Sequence, residues 1–305
     1  MTLPGPTPLQ SFLGGIGLAL PVHALLALNG HSFGISGFIN GAAHGNVEDT
    51  LSVLGLITGG IFVGVIEGSK PTIRDLAPLS LVSSGLFIGI GAKMANGCTS
   101  GHMISGLSRF SRRSIAATAT FFVSASLTAN LLHGGLAPLP GDPSLGTHGV
   151  AFLVGGVAAL ASTFFASRVM GAGSRLRQVV AFSSAFAFAL GLRLSNLSDP
   201  RRVLGFLVTP AHPAFDPSLV YLAVGAVPLA SLLYRVGSMR MEGKTSVNAE
   251  LLAGSALFGI GWGITGICPG PGLVNFGRAL ATAADITSVA TWLTAVITGG
   301  LLVPP

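Results

Sequence analysis

Two stretches of the chain carry the same unusual pattern, and this repetition limits what it can fold into. Gly89-Ile90-Gly91 is followed after six further residues by Cys98, and Gly259-Ile260-Gly261 after six further residues by Cys268, the copies lying 170 residues apart. Small or helix-starting residues follow each thiol: Thr99-Ser100-Gly101-His102 in the first copy, Pro269-Gly270-Pro271-Gly272 in the second. These are the only two cysteines in the sequence. Matched thiols in matched Gly-rich breaks predict two related halves that meet at a shared site.

Composition identifies the solvent around those halves. Half of the residues are hydrophobic, 9% are charged and the mean hydropathy is +0.74, whereas a soluble domain is roughly 25% charged. The 16 Lys and Arg with 10 Asp and Glu could not cover a water-exposed surface for a chain of this length, so the bilayer solvates most of it. Among the 44 glycines, pairs at small-xxx-small spacing such as Gly60 with Gly64 and Gly85 with Gly89 suit close helix approach in lipid.

The two cysteines give no disulfide framework, and no spacing of Cys, His or acidic residues suggests a metal. The thiols are expected to be free, and no cofactor is implied. Residues 1–30 hold no Lys or Arg and include Pro4, Pro6 and Pro8, so the stretch 9–29 reads as a retained first span and not as a secretory signal. The pI near 10.2 comes without basic runs interleaved with aromatics, which argues against nucleic acid as a partner. Membrane orientation and attraction of anions are the better uses of the charge.

Apolar runs long enough to cross a core of ~30 Å, about 20 residues, fall at 9–29, 50–67, 79–95, 112–132, 148–170, 176–194, 217–236, 248–266 and 284–303. Shorter Gly-punctuated apolar pieces at 32–41, 100–109, 201–208 and 271–282 read as re-entrant half-helices. The expected fold is an all-α polytopic membrane protein with nine transmembrane helices and four half-helices. Residues 1–147 form a first repeat, 148–175 a linking helix and 176–305 a second repeat. Each repeat holds four spans, so one linking span inverts the second relative to the first, an architecture common in secondary transporters with the substrate site at the repeat interface.

Loops after odd-numbered spans collect Arg109, Arg112, Arg113, Arg168, Arg175, Arg177, Arg235, Arg240 and Lys244; the opposite loops collect Lys70, Arg74, Arg193, Arg201, Arg202 and Arg278. The excess places the N-terminus outside and the C-terminus in the cytoplasm of a cell membrane.

Irregular backbone inside a bilayer is tolerated only where it lines a cavity or is buried in protein. Each break ending at a cysteine therefore implies a polar pocket there. The first amides of the half-helix that follows have no intrahelical partner and can donate to an anion, with the helix dipole adding favourable charge. Pro269 and Pro271 fit such a first turn. A thiol is a weak, polarisable donor and acceptor, suited to a small anion with a soft sulfur end; thiosulfate fits this description.

The loops Gly91-Ala92-Lys93-Met94-Ala95-Asn96-Gly97-Cys98-Thr99-Ser100-Gly101-His102, with Ile104-Ser105-Gly106 downstream, and Gly259-Ile260-Gly261-Trp262-Gly263-Ile264-Thr265-Gly266-Ile267-Cys268-Pro269-Gly270-Pro271, with Asn275, resemble the two signature loops of the YeeE/YedE sulfur transport family. Ser198-Asp199-Pro200-Arg201-Arg202 and Gly34-Ile35-Ser36-Gly37-Phe38 are similar to further elements of its two halves. The resemblance implies thiosulfate uptake through an hourglass-shaped inverted repeat whose cysteines contact the ion, and a cytoplasmic sulfurtransferase as recipient. Lys93 and Asn96 stand where the family carries an arginine and a glycine. A third cysteine of some members is absent, which leaves a two-thiol contact and not a three-thiol relay.

The candidate substrate site is thus Cys98 and Cys268 with Gly97, Thr99, Ser100, Gly101, His102, Pro269, Gly270, Pro271, Gly272, Lys93, Asn96 and Asn275. Alternatives stand beside several of these. Lys93 can snorkel to the interface, His102 can cap its own helix start, and Asn96 and Asn275 can tie helix to helix. The expected path runs from a basic outer vestibule past Cys98 toward Cys268 and the cytoplasm. Two other functions fit the same residues: a membrane sulfurtransferase forming a persulfide on Cys98 or Cys268 with His102 as base, and a small-solute channel. Membrane lipid is the remaining partner.

Overall fold

The computed structural model describes residues 5–71, 76–237 and 246–304. Arg74, Arg240 and Lys244 of the charge count lie outside them. Among the described residues every regular element is helical: α1 (Pro8–Asn29), α2 (Ile35–Ala43), α3 (Val47–Glu67), α4 (Pro78–Met94), a π-helical turn (Ser100–Gly106) running into a 3-10 turn (Leu107–Arg109), α5 (Arg112–Leu132), α6 (Gly149–Val169), α7 (Ser174–Leu194), α8 (Pro200–Leu207), α9 (Ser218–Val236), α10 (Ala249–Thr265), α11 (Pro269–Ala281) and α12 (Thr287–Leu302).

Helix starts follow local chemistry. Proline opens α1, α4, α8 and α11, where its missing N–H costs nothing. Asn46, Ser111, Asp199 and Asn248 accept amide hydrogens at the starts of α3, α5, α8 and α10, as short polar caps do.

Helices α1, α3, α5, α6 and α9, and the stretch Ala249–Ala281 that joins α10 to α11, are long and apolar enough to cross a bilayer. The protein is an integral membrane protein. Apolar side chains face outward on the perimeter, among them Val150, Val154, Val157, Phe164 and Phe165 of α6 and Val123, Leu127 and Leu131 of α5, as lipid contact requires.

At the centre α1 packs on α7 and α4 on α10; around them α3 packs on α7, α9 on α1, α12 on α4 and α5 on α10, while α11 lies along α3. The connection between α5 and α6 is fastened to the second half by Arg202, which bonds the Asp216 carboxylate and, at 2.8 Å, the Pro140 carbonyl. Within it, hydrogen bonds from Ser144 hold the Asp142 carboxyl below the usual carboxylate range, with Gln10 Nε2 donating at 2.8 Å.

The segment 100–109 is not an ordinary α-helical turn. Ser108 Oγ donates to the Ile104 carbonyl and Arg109 Nε to the Ser105 carbonyl at 2.8 Å. Side chains that bond back onto the ladder widen it, and a π turn of this kind recurs at functional sites.

Candidate functional site

The two cysteine breaks are built alike. Two residues before each thiol the backbone turns left-handed: Asn96 has φ 51° and Gly266 has φ 72°. That region is costly for most L-residues but open to glycine and tolerated by asparagine, which explains how asparagine replaces glycine in the first copy. Replacing Asn96 by glycine is expected to leave stability within about 1 kcal/mol, relief of local strain offsetting the added freedom of the unfolded chain. Thermal unfolding in detergent measures this, and Asn96→Val is the contrasting costly change.

After each turn the chain enters the core. Cys98 and Cys268 are both buried, both free, and belong to one hydrophobic cluster. Cys98 Sγ lies 3.2 Å from Ser100 Oγ. Thr99 and Cys98 both lie close enough to Cys268 to act on its thiol. Two thiols and two hydroxyls, from segments whose cysteines are 170 residues apart in sequence, thus lie near one another.

Backbone donors differ between the copies. His102 N–H is bonded to the Cys98 carbonyl and Gly272 N–H to the Cys268 carbonyl, each at 2.9 Å, so only amides earlier than these are free of the helix ladder. On the α11 side Pro269 and Pro271 have no N–H, which leaves Gly270 as the donor among the first three helical residues. On the other side Thr99, Ser100 and Gly101 can. The donor set is lopsided, a consequence of two prolines that the expectation of two equivalent helix ends did not weigh.

Ile35, at the start of α2, bridges the two copies. Its amide donates to Ser100 Oγ at 3.3 Å, and a Cβ built on Gly270 would come within 2.5 Å of its Cδ1. A larger residue at 270 would require the tip of the Ile35 side chain to shift. Ile35 is buried in the same apolar cluster as both thiols, and within that cluster Phe33 stacks on Phe188 at 4.4 Å between ring centroids. Sequence reasoning placed Ile35 in a similar motif but gave it no role.

The first break borders an open cavity, and the second does not line it. A cavity of about 1100 Å³ is lined by Lys93, Asn96, Gly97, Gly101 and His102, and by Arg109, Arg112, Arg113 and Arg177. Glu48 and Asp49 also line it, Glu48 pairing with Arg177 at 2.9 Å. Lys93 Nζ reaches Asn40 Oδ1 at 3.4 Å. The vestibule is thus basic, and its floor at Gly97 and Gly101 is adjacent in sequence to Cys98 and Ser100.

Other candidates serve the framework. His102 is buried, with Nε2 3.3 Å from the Ala95 carbonyl and Nδ1 3.1 Å from Ser114 Oγ. With Nε2–H donating to the carbonyl, Nδ1 accepts from the serine, and both nitrogens are engaged. Arg113 donates to the same Ala95 carbonyl at 2.8 Å, fastening the cysteine loop to α5; in the sequence it reads only as part of a basic cluster. Gly272 packs under Trp292, and Pro269 and Pro271 are buried. Asn275 Nδ2 donates to the Ser198 carbonyl at 2.9 Å, away from the thiols.

Comparison with known proteins identifies the family. The sulphur transport family matches residues 8–127, and a family of unknown function (DUF6691) matches residues 176–302. A protein of Xylella fastidiosa (strain 9a5c) named "Probable transporter" is 41% identical over 123 residues, 39% of this chain and 91% of the relative. A second so named, from strain Temecula1 / ATCC 700964, is 34% identical over 120 residues, 36% of this chain and 80% of the relative. This chain is a membrane transporter that belongs to the YeeE/YedE-type sulphur transport family.

Proposed function

We propose that the protein imports thiosulfate, or a sulfur anion like it, through a pore at the interface of two inverted repeats. The long helices α1, α3, α4, α5, α6, α7, α9, α10 and α12 would be the nine spans, with α2, the 100–109 segment, α8 and α11 as half-helices. Exchanging α1 with α7, α3 with α9, α4 with α10 and α5 with α12 turns each principal packing pair into another observed pair: α3 on α7 becomes α9 on α1, and α4 on α12 becomes α10 on α5. The two family matches, 8–127 and 176–302, fall one on each half. Relatives covered to 91% by 39% of this chain support a half as the evolutionary unit.

The observation that carries the reading is the burial of Cys98 and Cys268 in one cluster, with Gly97, next to Cys98 in the chain, lining a basic vestibule. The soft thiols would hold the sulfane sulfur while hydroxyls and the free amides near Ser100 and Gly270 hold oxygens. The vestibule opens on the face of Arg109, Arg112 and Arg113, which the positive-inside rule puts in the cytoplasm. Import would then meet Cys268 before Cys98, an order that the sequence leaves open. His102, with both ring nitrogens bonded to Ala95 and Ser114, is poorly placed to activate a thiol, which favours passage over sulfur transfer.

The test is uptake of labelled thiosulfate into proteoliposomes with excess sulfate outside. Thiosulfate should accumulate and sulfate should compete weakly; sulfate crossing as readily as thiosulfate would reject selection by the thiols.

A further inference from the structure

At the other end of α11 a second constellation lies outside the cysteine site. The Glu67 carboxylate, at the end of α3, bridges two guanidiniums: Oε1 is 2.6 Å from Arg193 Nε of α7, and Oε2 is 2.6 Å from Arg278 Nη2 of α11. The side chains of Glu67 and Arg278 are only 5% and 6% exposed. Arg278 Nε is buried without a hydrogen-bond partner. Asp199 also acts on Arg278 electrostatically and pairs with Arg201 at 3.0 Å. At the bridge one carboxylate thus faces two guanidiniums, Arg278 sealed and Arg193 about a quarter exposed, an excess of positive charge that is expensive where it is buried.

One carboxylate shared by two guanidiniums is the contact set that a doubly charged oxyanion would make, since arginine forks match such oxygens in pairs. We propose that Arg193 and Arg278 form a second oxyanion station on the transport path, for which the Glu67 carboxylate is a resident stand-in that a passing dianion displaces. The idea rests on the transport reading above. Arg278 lies ten residues along α11 from Cys268, about 15 Å at 1.5 Å per residue. A cavity of about 270 Å³, lined by Glu67, Arg193, Gln10, Ser69 and Asp142 among others, opens beside the bridge.

The first half supplies the comparison. Arg109 follows Cys98 by eleven residues, as Arg278 follows Cys268 by ten. Arg109 lies over the ring of Tyr234 on α9 at 5.7 Å, while Arg278 pairs with Glu67 on α3. Arg109 lines the open vestibule, and Arg278 is sealed. The two ends of the path thus carry arginines at like positions, one open and one occupied by a carboxylate. Because the bridge ties α3, α7 and α11 together, displacing Glu67 would also loosen the closed end.

The experiment follows thermal stability of purified protein in detergent against sodium sulfate, with sodium chloride at equal ionic strength as reference. Glu67→Gln should unfold at lower temperature without sulfate and recover with a half-saturating sulfate concentration at least tenfold below that of the wild type. The gain should persist with Cys98→Ala and Cys268→Ala added, so that failure of the cysteine site does not obscure it, and vanish with Arg278→Gln added. An unchanged half-saturating concentration, or equal recovery in chloride, overturns the proposal. Should Glu67→Gln not yield monodisperse protein, Glu67→Asp decides: a carboxylate drawn back by one methylene should still lower the sulfate concentration, and no change overturns the proposal.

Discussion

Replacing Cys98 by alanine is expected to lower thiosulfate uptake by about 10- to 100-fold, with Cys268→Ala giving a loss of the same order and neither variant losing its fold. The magnitude follows from removing one contact to a charged ligand, worth about 1.5–3 kcal/mol, at roughly 1.4 kcal/mol per tenfold. The fold survives because each thiol fills a small volume and leaves no buried charge unpaired. Cys98 Sγ approaches only Ser100 Oγ among polar side chains described for it, and that hydroxyl retains the Ile35 amide. Initial uptake rates in proteoliposomes, normalised to folded protein, give the measurement. Cys98→Ser separates two meanings of the thiol. If softness toward sulfur matters, serine resembles alanine; if any donor suffices, serine resembles the wild type. Equal uptake by all variants would remove the thiols from the pore.

How much of this was legible beforehand depends on the range of the interaction concerned. The helices of the chain follow apolar runs bounded by Pro, Gly and charged residues, a signal confined to neighbours. Pro78 and Lys93 bracket α4, for example, and Pro8 opens α1. The duplicated pattern also pointed to related surroundings for the two cysteines, which lie buried in one hydrophobic cluster.

What did not show were contacts set by tertiary geometry. Nothing near Ser100 announces a π turn, which depends on Ser108 and Arg109 bonding back to Ile104 and Ser105. Glu67 meets Arg278 across 211 positions, and the sequence offered Arg278 only as a loop charge. His102 and Asn275 look alike as pocket donors in a string of letters. The bonds of His102 to Ser114 and of Asn275 to Ser198 exist only because α5 and the α7–α8 connection pack where they do. Ile35 has no polar atom to attract notice, and its importance comes from lying between Ser100 and Gly270.

The largest structural effect is expected from Gly266→Val. Gly266 ends α10 with φ 72° and donates its N–H to the Trp262 carbonyl at 2.7 Å; the Pro200 carbonyl of α8 lies where a Cβ would go. A β-branched residue there meets two penalties. The left-handed conformation costs about 1–2 kcal/mol for an ordinary side chain. Shifting the first turn of α8 to admit new atoms costs about 1–3 kcal/mol more. Together about 2–5 kcal/mol is a large part of the stability of a typical domain, so the yield of monodisperse protein should fall sharply and the unfolding temperature with it. Gly266→Asn dissects the two terms, since asparagine accepts the backbone angle yet still collides with Pro200; it should lie between the wild type and the valine variant. The same displacement acts on Cys268, two residues on, so any folded Gly266→Val protein should transport poorly even with both thiols present. A valine variant with wild-type melting and uptake would mean that the break before Cys268 is not fixed by this turn, and the matched geometry of Asn96 and Gly266 would lose its explanatory weight.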